Sequence, residues 1–203
     1  MEPVFGAREW PAQERTRRRD ATAAEARYLF AHAMPAEPGE AGASPPAPPP
    51  PPLGFVHYRF LVEEEVPVLY VYELQVTGTC FPPRRAKQSW LTRAPACHAE
   101  AARGKGLGRY LMLFAEMLAK RSPGPLGGVV LTIQRVNTRA LQFYTTKCKY
   151  ALADISPSRS DPFAAQDEYD YEIYARLFTE DAALTFKRAG DAARLENAVH
   201  AEM

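Results

Sequence analysis

At 203 residues and 46% hydrophobic content, the chain can bury one sizeable core, and two would be a stretch. A formal net charge of +1 excludes a global field that would draw it onto nucleic acid or membrane, and no apolar run approaches the ~18 residues of a membrane-spanning helix. Cys80, Cys97 and Cys148 are odd in number and far apart, which points to reduced thiols inside a cell, and Cys80 with Cys97-His98 lacks the paired close spacings of a zinc site.

The opening Met1-Glu2-Pro3-Val4-Phe5 carries no charged-then-apolar signal pattern. Residues 8–27, with Trp10 and Pro11 near the front, are charged and Ala-rich and predict a helix. Arg15, Arg17, Arg18 and Arg19 interleave there with Glu9, Glu14, Asp20 and Glu25, the pattern of a solvated helix face. Tyr28-Leu29-Phe30-Ala31 predicts a short strand. Across 35–53 the proline density excludes a helix or a central strand, so a surface loop in polyproline conformation is expected. Phe55 to Val62 alternates with period two, Glu63-Glu64-Glu65 marks a turn, and Val66 to Val76 is a longer β-rich run. Glu73 is the anomaly in that run. A carboxylate among apolar strand residues is costly unless paired, solvated or neutral, so it lies either on an exposed face or in an active site with a raised pKa.

Residues 77–102 are irregular, with Cys80, Pro82, Pro83 and Trp90. They lead to Arg103-Gly104-Lys105-Gly106-Leu107-Gly108-Arg109 and then a stretch with apolar residues at 107, 110, 111, 114, 117 and 118. That spacing predicts a helix burying this one face. The glycines then sit at a helix N-terminus, where unpartnered N–H groups and the dipole favour an anion, and Gly106 and Gly108 let a phosphate approach the backbone. With Arg103, Lys105 and Arg109 beside them, the stretch reads as a pyrophosphate cradle. It is neither a Walker loop nor a Rossmann fingerprint, whose spacings fail here. Ser122-Pro123-Gly124-Pro125 is a turn, and Gly128 to Ile133 a buried strand. Asn137 caps a short helix carrying Ala140, Leu141, Phe143 and Tyr144. Another strand starts over Tyr150 to Asp154, a polar loop follows over 156–170, and Tyr169 to Phe178 alternates as a final strand. From Thr179 the tail is an Ala/charged helix or a frayed end. No internal repeat is present.

The Arg-x-x-Gly-x-Gly pattern resembles the acetyl-CoA loop of the GNAT acetyltransferases. The order of elements is similar to that fold from its second helix onward, with Glu-Leu-Gln-Val closing the long strand, Leu-Thr-Ile with Asn137, and Phe143-Tyr144. Within the superfamily, Leu69 to Val76, Arg103 to Arg109, Ser156-Pro157-Ser158 and Tyr171-Glu172-Ile173 look like the NatD type, which acetylates histone N-termini. Gly54 to Phe60 and Arg8-Glu9-Trp10 are similar to it too. The resemblance covers roughly residues 5–34 and 54–178.

It implies an α/β (α+β) GNAT fold: a mixed, mostly antiparallel twisted sheet flanked by helices, with the family's first strand and first helix absent from these residues. A single domain would span 1–178, including the proline-rich loop 35–53 and an insertion at 77–102, followed by a helical or disordered tail at 179–203. The implied activity is N-terminal α-amino acetylation of histones beginning Ser-Gly-Arg-Gly, by direct transfer from acetyl-CoA and with no metal. The alternatives are an impaired remnant that binds cofactor or basic peptide, and a GNAT with another amine substrate. The implied general base is Glu73; Tyr72 would bind the substrate's first residue and Tyr144 protonate the departing thiolate. Leu74, Gln75 and Val76 would offer backbone to the pantetheine, residues 103–109 would hold the pyrophosphate, and Asn137 would contact the cofactor. Trp10, Tyr70, Thr132, Tyr171 and Ser156 would line or flank the peptide channel. The chemistry is self-consistent: an α-amine, with a reference pKa of about 8, is far easier to deprotonate than a lysine at about 10.4, and one carboxylate can take its proton. Asp161, Asp167, Glu168, Asp170 and Glu172 either attract a basic peptide or form solvated polar surface. A monomer in nucleus and cytoplasm, with no nucleic acid or membrane partner, is expected. The sequence departs from the pattern at Leu61, near the place of a substrate-binding acid, and at Phe5, where the family has tyrosine; Glu63 to Glu65 are candidates to compensate for the former.

Overall fold

The computed structural model describes residues 14–33, 52–77, 104–161 and 168–201. Trp10, Arg103, Asp167, Cys80, Cys97, most of the proline-rich stretch and residues 78–102 lie outside them. Residues 14–21 are helical (α1). There follow β1 (Arg27–Ala31), β2 (Gly54–Glu63), β3 (Val66–Val76), α2 (Leu107–Arg121), β4 (Gly128–Gln134) and α3 (Thr138–Gln142). A π-helical turn (Phe143–Lys147), β5 (Ala151–Leu152), α4 (Pro157–Ser160), β6 (Tyr171–Leu177) and α5 (Glu180–Ala201) complete the order.

The strands form one sheet in the order β1-β2-β3-β4-β6-β5. Only β3 and β4 pair in parallel, and every other neighbour is antiparallel. This is the mixed, mostly antiparallel sheet with flanking helices that the resemblance implies. Its alternation sorts side chains onto two faces. Val56, Tyr58, Leu69, Val71, Val129, Leu131 and Ile133 pack with Leu111, Met112, Ala115 and Ala119 of α2. Val66, Val68, Val130 and Ala175 pack on the other face with Ala182 and Phe186 of α5. The segment from Thr179 is therefore a helix seated on the sheet, and Phe186 is fully buried. Gly190 permits close approach, since a Cβ there would lie 2.3 Å from the Asp154 carbonyl oxygen.

The buried face of α2 differs from the expectation. The sheet takes Leu111, Met112, Ala115, Glu116 and Ala119, while Tyr110 and Phe114, expected inside, are 62% and 51% exposed. The helix is apolar nearly all round, so periodicity alone left two candidate stripes. The alanines settle it: Ala115 and Ala119 let the axis approach the sheet closely, which a stripe of Tyr110 and Phe114 would prevent. Glu116 enters the core because Arg176 of β6 reaches it at 3.1 Å.

The β2–β3 hairpin turns on Glu64 and Glu65 with φ of 44° and 65°, the left-handed pair that a two-residue turn demands. The predicted strand at Tyr150 to Asp154 shrinks to Ala151–Leu152.

Candidate active site

One extra residue in β3 organises the site. The β2–β3 register runs His57↔Glu73 and then Tyr58↔Val71, so Tyr72 is left without a partner on β2. A bulge of this kind bends the strand and re-aims its side chains. Its effect is visible in the packing: Val71 and Leu74, three positions apart, both pack into the α2-side core, which an unbroken period of two forbids. Glu73 is thereby turned to the opposite face. That answers the anomaly of a carboxylate in an apolar strand: its side chain is 22% exposed and paired with Arg17 of α1 at 3.5 Å. The Gln75 amide donates to the same carboxylate oxygen at 2.9 Å.

Around Glu73 the face is aromatic and basic. The Tyr72 ring stacks on His57 at 5.1 Å, approaches Tyr70 at 5.3 Å and carries the Arg59 guanidinium at 4.4 Å. The Tyr70 and Thr132 hydroxyls share a short hydrogen bond. Burial pushes the Tyr70 phenol up to about 12, so it stays protonated at neutral pH. Arg59 also reaches Asp20 of α1, its Nη2 donating to the backbone carbonyl at 2.6 Å. The charge pattern predicts a solvated face for α1's basic residues. Arg17 corrects this, being drawn in by Glu73, while Arg18 remains on the surface with Glu14 at 2.8 Å. The signal was present as four arginines on a short helix beside an unexplained carboxylate, but only tertiary structure shows which one is used.

Beyond Val71 the two central strands part. β3 pairs β4 only from Val68↔Gly128 to Val71↔Leu131, although β3 runs to Val76 and β4 to Gln134. Among the described residues, Tyr72 to Gln75 therefore have no ladder partner on that side, which leaves their backbone donors and acceptors on that side unladdered. Leu74, Gln75 and Val76, expected to offer backbone to a pantetheine, border this gap.

The glycine turn adjoins the same end of β3. Gly104 and Gly106 have φ of +83° and +86°, which glycine adopts without strain, and Gly106 is the N-cap of α2. A Cβ at Gly104 would meet nothing within 4 Å. Gly108 serves differently from the expectation: its missing Cβ makes room for the Phe143 ring, 3.2 Å from where that atom would lie, and for Val76 at 3.6 Å. So Gly104 and Gly106 shape an open turn at the helix N-terminus, while Gly108 joins α2 to the π-helical turn. Lys105 and Arg109 are exposed beside it. An open left-handed turn, a helix start and two cations fit a pyrophosphate.

Asn137 spends its side-chain oxygen on capping α3, accepting from Ala140 N at 3.1 Å. Tyr144 lies in the α2-side layer against Phe143 and Tyr150. Burial raises its pKa well above the ordinary phenol value, so it stays protonated at neutral pH.

Ser156 is corrected. It is 0% exposed; its hydroxyl donates to Glu172 at 2.5 Å and accepts from Ile173 N–H at 2.8 Å. With both roles filled it clamps α4 to β6 and offers a peptide nothing. Glu172 is likewise engaged, by Arg135 at 2.7 Å. Burial alone would push its carboxyl up, but hydrogen bonds from Ser156, Ser158 and Arg135 hold it below the usual carboxylate value. Tyr171 begins β6, half-buried. Among the described residues no cluster of His, Cys, Asp and Glu could hold a metal ion.

No family model matches the chain. Among solved structures, that of Arabidopsis thaliana NAA60 with a bisubstrate analogue is similar over 86% of this chain and 92% of that one, at 11% identity and a TM-score of 0.45. A second, of the same plant protein with acetyl-CoA, is similar over 63% of this chain and 66% of that one, at 15% identity and a TM-score of 0.38.

Proposed function

We propose that this chain is an acetyl-CoA-dependent N-terminal α-amino acetyltransferase of the GNAT superfamily, of the NatD type, acting on histone tails that begin Ser-Gly-Arg-Gly in nucleus and cytoplasm. The observation that carries the reading is the bulge at Tyr72. It turns Glu73 out of an apolar strand at the place where β3 leaves β4 and runs toward the glycine turn.

In this reading the cofactor supplies an activated acetyl thioester in the gap beside Tyr72 to Val76, with its phosphates at Gly104, Gly106, Lys105 and Arg109. Unladdered backbone N–H groups in the gap are donors for developing negative charge. Glu73 accepts the proton leaving the α-ammonium. Tyr72, Tyr70, Thr132 and Tyr171 bound the first residues of the peptide, and Tyr144 keeps a proton available from the other layer. Arg17 holds Glu73 before substrate arrives, so the incoming ammonium replaces one cation with another.

That ion pair also favours a second reading, in which the site binds cofactor or basic peptide and turns over poorly because Glu73 is occupied. Acetyl transfer to a Ser-Gly-Arg-Gly-Lys peptide, with an N-terminally blocked copy as control, separates them. The expected result is product on the free peptide only. Glu73→Gln should remove most turnover, at least about a hundredfold for a lost general base, while acetyl-CoA still binds. No product with cofactor bound favours the second reading, transfer to small amines instead would point to a GNAT with another amine substrate, and an unchanged Glu73→Gln rate removes this residue from the mechanism.

A further inference from the structure

Three residues on adjacent strands lie in one cross-strand row: Tyr28 on β1 is opposite His57 on β2, which is opposite Glu73 on β3. His57 is 3% exposed. Its ring lies nearly parallel to that of Tyr28, with centroids 4.9 Å apart and planes at 14°. It stacks on Tyr72 at 5.1 Å and 29°. Tyr28 is itself fixed, its hydroxyl donating to the Ala21 carbonyl at 2.7 Å. The Nε2 atom of His57 is buried with no hydrogen-bond partner among the described residues. What His57 gives the site through this nitrogen is therefore not a hydrogen bond. It gives a flat ring of fixed thickness.

That ring stands directly behind the bulge. Tyr72 has no partner residue on β2, so its orientation depends on the surfaces it touches, and among these His57 is a flat ring backed on its far side by Tyr28. The charge state of the ring matters as well. Arg59 from the same strand, Asp20 from α1, Glu73 and Tyr72 from β3 and Tyr28 from β1 face it, with Arg17 of α1 paired to Glu73. Burial chiefly, then Arg59, lowers the His57 pKa, with Glu73 and Asp20 opposing. A protonated ring would place a further cation next to Glu73, where Arg17 already competes with the substrate's ammonium.

We propose that His57 is a positioning residue, an uncharged spacer clamped between Tyr28 and Tyr72 that sets the aim of Tyr72 and Glu73 and disables the site when protonated. This rests on the acetyltransferase reading above. The test compares the unaltered full chain with His57→Phe, which keeps a flat ring that cannot charge, and with His57→Ala, which removes it. Acetyl transfer to the Ser-Gly-Arg-Gly-Lys peptide is measured from pH 5 to 9, with melting temperatures alongside. Near pH 8, His57→Ala should lose about tenfold or more in kcat/KM, the scale of a displaced reacting group, and His57→Phe should recover most of it. Dividing the His57→Phe rate by the unaltered rate cancels titrations common to both, and this ratio should climb as pH falls below the ordinary histidine value of about 6.5. The melting temperature of His57→Phe should hold or rise, since it removes a buried nitrogen that has no partner.

Three results overturn the role while leaving the enzymatic reading intact: full activity in His57→Ala, a His57→Phe as impaired as His57→Ala, or a ratio independent of pH. If a variant fails to fold, histidine side-chain NMR of the unaltered chain decides, because a His57 ring that titrates at the ordinary value or above overturns the uncharged spacer. Absence of transfer by the unaltered chain overturns the enzymatic reading, and the positioning role falls with it.

Discussion

Gly106→Ala tests the glycine turn most directly. At φ +86° an alanine pays for a left-handed backbone, about 1–2 kcal/mol. Space adds little to this, because the nearest atoms to a Cβ there are the Tyr110 ring carbons at 3.8 and 4.0 Å, ordinary contact distances. If the turn holds its shape, that cost appears as stability, and for a domain of this size should lower the melting temperature by roughly 2–8 °C. If the turn yields instead, the N–H groups at the start of α2 lose their alignment and acetyl-CoA binds more weakly. The two effects trade against each other, so calorimetric cofactor affinity and thermal denaturation must be measured on the same sample. Gly108→Ala is the control. It sits inside α2, where alanine gains up to about 1 kcal/mol in helix propensity, against a 3.2 Å approach to the movable Phe143 ring. Its net stability change should be under about 1 kcal/mol in either direction. Gly106→Asn, with a residue that tolerates the left-handed region, should recover much of the Gly106→Ala loss. A Gly106→Ala protein with unchanged melting temperature and unchanged acetyl-CoA affinity would refute the cradle.

Phe186→Ala should cost about 3–5 kcal/mol in urea denaturation, the usual range for a fully buried aromatic; a loss below about 1 kcal/mol would mean that α5 is not part of the packed body. Ser156→Ala strands the Ile173 N–H and leaves Glu172 Oε2 with only the 3.4 Å bond from Ser158 N–H, a cost of about 1–3 kcal/mol, while leaving peptide KM unchanged because the hydroxyl is wholly internal. A raised KM with intact stability would return Ser156 to the peptide channel. The lowered pKa of Glu172 makes its contribution complete above the ordinary carboxylate value and lost as pH falls through the depressed one. The acid unfolding midpoint of Ser156→Ala should therefore lie higher than that of the unaltered chain.

Much of the architecture was legible because it rests on local rules. Period-two alternation marked β2, and β-rich composition marked β3, with the run Val66 to Val76 matching the strand end to end. Asn137 was legible as a cap, and the glycine stretch as a helix start. What escaped was set by partners far along the chain. The buried stripe of α2 depends on how closely the sheet lets the helix approach, and Ser156 looked like loop surface until Glu172 and Ile173 N–H closed on it. His57 escaped for another reason. In sequence it is one polar position within an alternating strand, and only the row Tyr28–His57–Glu73 sets it behind the site.

Glu73 joins the legible and illegible parts. Its oddness in an apolar strand was evident, but a strict alternation would have put it on the same face as Leu69 and Val71, inside the α2 core. One unpaired residue at Tyr72 reverses that. The same stretch of β3 departs from β4, so the carboxylate emerges at the edge of a gap lined with unladdered backbone groups. In the proposed reaction a base reaches the amine from one side while the acyl donor lies on the other, and a bulge beside a parted ladder would supply both sides from a single strand. The pairing of Glu73 with Arg17 at 3.5 Å fits this arrangement. A cation rests where the substrate's ammonium would arrive, close enough to compensate the carboxylate and, on a side chain 29% exposed, accessible enough to be displaced.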